Sequence, residues 1–239
     1  MTAESKRKIQ LVLAAAIAVA AVRAGYVLYN RYSAKTSPTS RQSPPLNPDY
    51  YVIPKKLYPY DLKSAKQLTQ QPVWVKEGYR YTFYPYDPER RRTDFSREAG
   101  LLLPIQKLEI KDVVTDLAPH SPHLHQVMAI FEQDGKTYAV PIGSMRDNSY
   151  QIYSDEIFYI QDPHELYKHW PPDIWSSIAQ HEVKPGMNEF QVDFAIGMGI
   201  PDRSSDPAVK TVHYPHGGKP VTITYRNGKA VEIRAGEGE

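Results

Sequence analysis

His120, His123 and His125 fall within the hexapeptide His120-Ser121-Pro122-His123-Leu124-His125, the densest histidine cluster in the sequence. In an extended segment alternate side chains share a face, so His123 and His125 would point to one side, where imidazole nitrogens suit zinc or copper. A closed site needs a further ligand, for which His213 and His216 are candidates, and partners that fix each ring's tautomer. The Pro-flanked loop shows no sign of that support. Loop histidines without a metal are the plainer reading, and no cofactor is expected.

Arg90, Arg91 and Arg92 follow a tyrosine-rich stretch with Tyr79, Tyr81, Tyr84 and Tyr86. Guanidinium groups beside aromatic rings can bind nucleic acid or anionic headgroups. A solvated loop above a tyrosine-bearing sheet explains the same residues. Charge argues against nucleic acid. Of 29 basic and 27 acidic residues, five basic residues and one acid lie in residues 1–32, which leaves 24 against 26 for the rest. Such a body is not one that neutralises phosphate backbones.

Asp155, Glu156 and Asp162 could suggest acid–base chemistry, but adjacent strand residues face opposite ways and nothing brackets them with a nucleophile. No Gly-x-Ser-x-Gly, His-Glu-x-x-His or phosphate-binding loop occurs. The absence of cysteine removes disulfides, thiolate metal sites and Cys nucleophiles. No reaction is readable from these residues, and a non-catalytic role is the expectation.

The elements around these residues begin with Lys6-Arg7-Lys8 and an apolar run from Ile9. Positive charge ahead of an apolar run keeps an N-terminus cytoplasmic while the rest crosses. Continued through Tyr29, the run over residues 9–29 predicts a signal-anchor helix with Tyr26 and Tyr29 as interfacial aromatics, leaving the body on the extracytoplasmic side of a single-pass protein. Cleavage near Val22-Arg23-Ala24 would instead give an exported protein. Residues 33–49, with four Pro and little apolar content, read as a spacer.

From Tyr50 to Ile160 the pattern is β-rich. Val73-Trp74-Val75 and Tyr79 to Tyr84 alternate like two strands joined at Glu77-Gly78, and Lys107 to Val114 has the same period. Gln126 to Phe131 and Lys136 to Ile142 flank Asp134-Gly135, a pair suited to the positive φ of a tight hairpin turn. The spacing predicts a small antiparallel barrel of SH3-like type. Short helices follow from His164 and from Asp173.

Val183-Lys184-Pro185-Gly186-Met187-Asn188-Glu189-Phe190 leads to Gly197-Met198-Gly199-Ile200-Pro201, then to Val212-His213-Tyr214 and Val221 to Ile233 with Asn227-Gly228-Lys229. This resembles the SmpA/OmlA-like module of the small lipoprotein in outer-membrane barrel assembly. Independently of the name, Asn188 suits the cap of a helix Glu189–Ile196, and Gly199 and Pro201 suit its end. The resemblance covers about 50 of the 239 residues and lacks the lipid-bearing cysteine. It implies an interaction or scaffold module and no catalysis.

The sequence therefore predicts an α+β protein in four parts. These are a membrane helix (1–32), a spacer (33–49), a barrel-like domain (50–160) and a helical connector with an ααββ-type module (161–239). The expected role is a non-catalytic, membrane-tethered envelope protein with a protein partner. A metal-binding protein or metal-dependent enzyme using the histidines, and an exported protein that binds the cell wall through exposed aromatics, are the alternatives.

Overall fold

The computed structural model describes residue 14 and residues 17–31, 47–119, 121, 123–203, 206 and 208–236. The chain divides into two units, Met1–Asn47 and Pro48–Glu239. In the first, residues 17–31 form a helix, α1. This corrects the expected membrane span. Among the described residues no helix is long and apolar enough to cross a membrane. The described stretch 17–31 rises roughly 22 Å, against about 30 Å for a bilayer core, and contains Arg23 and Arg31. Residues 9–13, 15 and 16 of the expected span, and residues 33–46 of the spacer, lie outside the described residues. The signal-anchor reading and the single-pass location are not supported.

The second unit opens with a 3-10 turn, Pro48–Tyr51, and a short helix α2 (Leu62–Ala65) that runs into a 3-10 helix, Lys66–Gln70. The strands that follow are β1 (Val73–Val75), β2 (Thr82–Asp87), β3 (Arg92–Thr93), β4 (Gly100–Leu101), β5 (Lys107–Leu108), β6 (Ile110–Leu117), β7 (Leu124–Gln133), β8 (Lys136–Arg146) and β9 (Ser149–Ile152). Helix α3 (Ser154–Ile157) leads directly into β10 (Phe158–Tyr159), and α4 (Pro163–Leu166), α5 (Pro172–Ala179) and α6 (Glu189–Ile196) come next. The chain closes with β11 (Ile200–Pro201), β12 (Val209–Tyr214), β13 (Val221–Arg226) and β14 (Lys229–Ala235).

The structure is mostly β, and the expected closed SH3-like barrel is a half-barrel. Its strands run β3-β2-β8-β7-β6, with β4 on β2 and β9 on β8. The β7–β8 hairpin turns at Asp134 (φ 52°) and Gly135 (φ 70°), as the Asp-Gly pair requires. Closure fails because two segments are diverted. The period-two run from Lys107 breaks at Glu109, so β5 leaves for another sheet while β6 stays. Likewise β1 pairs with β5 and β10 and not with β2. Gly78 is not a hairpin turn: a Cβ there would sit 2.1 Å from the Pro104 ring, so glycine is needed for close approach.

The C-terminal part also departs from the expected ααββ pattern. Four antiparallel strands, in the order β11-β12-β13-β14, accompany α5 and α6. Asn188 caps α6 in a capping box with Gln191. Gly197, at φ 82°, ends the helix, not Gly199. Gly199 instead lets β12 approach, since a Cβ would lie 2.4 Å from Val212 and 2.7 Å from the Tyr214 ring.

Two main cores meet at the sheet β10-β1-β5. Val73, Val75, Leu108 and Phe158 enter the core of the half-barrel. Trp74 and Tyr159, on the alternate parity, enter the core built by α5, α6 and the C-terminal sheet. Asp49 fastens the start of this unit to the second core. Its carboxylate, 7% exposed, meets His169 Nε2 at 2.6 Å and accepts from Trp170 Nε1 at 2.7 Å and Asn188 Nδ2 at 3.0 Å. Asp49→Ala would strand the buried Trp170 N–H and remove the partner of the half-buried Asn188 amide and of His169, and should lower stability by about 1–3 kcal/mol. Urea unfolding checks this, and a loss below about 1 kcal/mol would show that Asp49 is not a fastening.

Asp193 on α6 is half-buried near the Tyr214 hydroxyl, which lies 2.7 Å from that of Tyr225. Burial first, and Glu189 second, push its carboxyl up from 3.8 to about 7. Below about pH 4 both folded and unfolded chains hold this proton, and between about 4 and 7 only the folded chain does. Its contribution to stability therefore falls as pH rises through that window and levels off above it. Asp193→Asn should be more stable than the wild type near pH 8 by on the order of 1–2 kcal/mol, with the difference vanishing near pH 4. Parallel urea titrations at the two pH values test it. An unchanged gap would remove Asp193 as the cause.

Candidate functional site

The half-barrel has two free edges, and an open groove lies between them. Among the described residues β3 pairs only with β2 and β6 only with β7. A side chain bridges the gap in place of a ladder: the Asp116 carboxylate, on β6, accepts the backbone N–H of Thr93, on β3. The groove is open and measures about 1110 Å³. One wall is the β2–β3 turn and the segment after it, and the other is the end of β6 with Ala118 and Pro119.

Its charges are unequal in availability. Asp87 accepts the N–H groups of Glu89 and Arg90 at 2.9 and 3.0 Å, Asp94 accepts from Ser96, and Asp116 also accepts the N–H of Leu117 at 2.8 Å. The Ser96 hydroxyl holds the Asp94 carboxyl below its usual range. These acids are occupied by their own backbone turns. The arginines are not. Arg90 and Arg97 reach Asp87 and Asp94 only at 3.7 and 3.9 Å with side chains 85% and 72% exposed, and Arg92 has no ion pair among the described residues. Exposed pairs of this kind contribute little and separate readily.

Tyr86 and Phe95 give the groove an apolar side and pack on a third small cluster of Val114, Met128, Ile130 and Ala139. Thr93, 5% exposed, lines the groove with its Oγ1 buried and without a hydrogen-bond partner. An orphan hydroxyl of this kind is uncommon in a folded interior.

The residues singled out from sequence are only partly gathered here. Arg90 and Arg92 line the groove, whereas Arg91, at φ 52°, has its guanidinium on the Tyr86 hydroxyl. Tyr84 lies beneath, edge-on to Phe95 at 5.3 Å. Tyr81 packs against the half-barrel core, and Tyr79 turns away toward His181 and His216. His120 lies outside the described residues. His123 is exposed in a turn and His125 half-buried on β7, opposite Leu117 and Met145. His213 is engaged by Asp202 and Thr222, each at 2.9 Å. Among the described residues no group of three or more His, Cys, Asp or Glu side chains could hold a metal ion.

Thr93, Phe95, Arg97 and Asp116 were not anticipated. The parity of the tyrosines was a usable signal: odd and even positions of a strand face opposite ways, so Tyr84 and Tyr86 could not share a surface with Tyr81. No family profile, curated protein or solved structure matches the chain.

Because the Thr93 hydroxyl has no partner, folding does not depend on it. Thr93→Val should leave stability unchanged or raise it by up to about 1 kcal/mol. Thermal unfolding of the variant checks this, and a loss of stability would show that the hydroxyl is already satisfied.

Proposed function

We propose that this protein is a non-catalytic interaction module that takes an extended, acidic segment of a partner protein into the open seam of its half-barrel. The observation behind this is that three of the groove's four carboxylates, Asp87, Asp94 and Asp116, accept backbone N–H groups, while Arg90 and Arg97 hold only long, exposed ion pairs and Arg92 has none among the described residues. Carboxylates of a partner would meet those guanidinium groups in charge-assisted bonds. The partner's backbone would run along the seam, with Tyr86 and Phe95 receiving its apolar side chains. The resemblance of residues 183–233 to an interaction module of the SmpA/OmlA-like type points in the same direction, away from catalysis.

The test uses fluorescein-labelled decapeptides in which Glu alternates with Val or Tyr, against Lys counterparts of the same pattern. Anisotropy should show that the acidic peptides bind and the basic ones do not, with affinity falling several-fold between about 50 and 300 mM salt. Arg92→Glu should abolish binding without changing the unfolding midpoint. Equal binding of acidic and basic peptides, or retention by Arg92→Glu, would overturn the proposal.

A further inference from the structure

One segment outside the groove holds large apolar side chains in solvent while its own backbone is fastened down. Residues 50–60, Tyr-Tyr-Val-Ile-Pro-Lys-Lys-Leu-Tyr-Pro-Tyr, carry four tyrosines, two lysines and no acid. Their inward residues are fixed. Val52 packs on the core of α5, α6 and the C-terminal sheet, Leu57 packs on that of the half-barrel, and Pro59 is buried. Asp49 holds one end through Trp170 and Asn188, and the Lys55 N–H donates to Gln161 Oε1 at 2.7 Å. Asp61 holds the other end as the cap of α2. The strap is a built part of the second unit.

Its outward residues differ in kind. Tyr50, Tyr51, Ile53, Tyr58 and Tyr60 are 67–87% exposed. Single exposed apolar residues are ordinary, whereas five within eleven positions of an anchored segment mark an interaction surface. From Leu57 to Tyr60 inward and outward residues alternate, so Tyr58 and Tyr60 leave on one side. The Lys56 ammonium lies 5.9 Å from the centre of the Tyr58 ring and reaches Asp155 only at 3.9 Å, and Lys55 has no ion pair among the described residues. Both flanking acids are engaged, Asp49 by the donors just named and Asp61 by Ser64. The surface is aromatic, aliphatic at Ile53, and positive.

That combination selects the occupant. A single-stranded nucleic acid would use the rings and the lysines and leave Ile53 in water. A folded partner would need a pocket for each projecting side chain, whereas a bilayer surface yields to all of them. Tyrosine has an apolar ring and a polar tip, which suits the headgroup level, and lysine meets lipid phosphates from the same depth. We infer that the strap of residues 50–60 binds the surface of an anionic bilayer. Ile53 dips into the acyl boundary, the tyrosines sit among the headgroups, and Lys55 and Lys56 lie on the phosphates. The strap rests on the surface and does not cross it. This site stands independently of the peptide groove.

The chain has no cysteine, so Ile53→Cys gives the full chain one attachment point for an environment-sensitive dye, and Val231→Cys on β14 gives an exposed reference. Vesicles of phosphatidylcholine containing phosphatidylglycerol are titrated into each, beside vesicles of phosphatidylcholine alone. The expected result is a saturable blue shift at position 53 with the anionic vesicles only, and none at position 231. Because the dye reports its own position, contact made elsewhere on the chain does not register. Lys55→Gln with Lys56→Gln should weaken the partition by about tenfold or more, since a lysine near an anionic surface contributes roughly fivefold. All these positions are exposed, so folding should survive, as circular dichroism will show. An unmoved dye at position 53, an equal response to phosphatidylcholine alone, or an unchanged partition of the double variant would each overturn the site. So would a response to single-stranded oligo-dT or to the acidic decapeptides in place of vesicles.

Discussion

Three residues, Val73, Trp74 and Val75, must serve two hydrophobic cores at once. Side chains of a strand alternate, so the two valines go to one core and the tryptophan to the other, and a register slip of one residue would exchange them. Burial of such side chains contributes roughly 1.5–3 kcal/mol each, so the slip would be strongly disfavoured on both sides together. The strand is held by two equally short neighbours, β5 and β10, which obey the same division: Leu108 and Phe158 on one face, Tyr159 on the other. Supplying those neighbours constrains the rest of the unit. The chain must leave the half-barrel sheet at Glu109 to make β5, and α3 must deliver β10 beside β1. A sheet that gives up these segments cannot close, so the free edges at β3 and β6 follow from how the cores are joined.

Local chemistry was readable wherever the deciding contacts are local. Asp134-Gly135 fixed a hairpin because its turn needs two residues with positive φ and nothing distant. Asn188 and Gln191 likewise specify the start of α6 through bonds three residues apart. The partners of β1 were not readable. Val-Trp-Val looks the same whether it pairs with the next strand or with Phe158–Tyr159 some 80 residues on. Gly78 and Gly199 misled for a related reason. A glycine that permits a turn and one that lets another chain segment approach are identical in sequence, and only the neighbours Pro104 and Tyr214 tell them apart. The N-terminal prediction erred differently, since hydropathy counted the run to Tyr29 as continuous while α1 as described is short and charged.

The groove was half legible. The arginine run is conspicuous in sequence, but its meaning depends on which nearby acids are free to neutralise it. That cannot be counted from composition, because Asp87, Asp94 and Asp116 are spent on backbone N–H groups through turn geometry. Asp116 is 23 residues from the Thr93 amide it accepts, and the orphan Thr93 hydroxyl has no sequence signature at all. The tyrosines were over-read as one surface. Tyr79 breaks the alternation that Tyr81, Tyr84 and Tyr86 follow, and a left-handed tyrosine is not a conformation that local preference selects.

That left-handed tyrosine belongs to a wider pattern. Of the non-glycine residues with positive φ, Asp134, Asp147, Asn148 and Asn227 are short polar residues in turns, where this backbone is tolerated. Tyr79, Arg91, Ile105, His181 and His216 are bulky, and each carries a cost of order 1 kcal/mol or more. Arg91 stands apart in the turn between β2 and β3, and the other four lie together. Ile105 and His181 line one small cavity at the junction of the cores, and Tyr79 and His216 line the next. Such strain persists only where the surroundings enforce it, and here the packing of both cores on one short sheet enforces it.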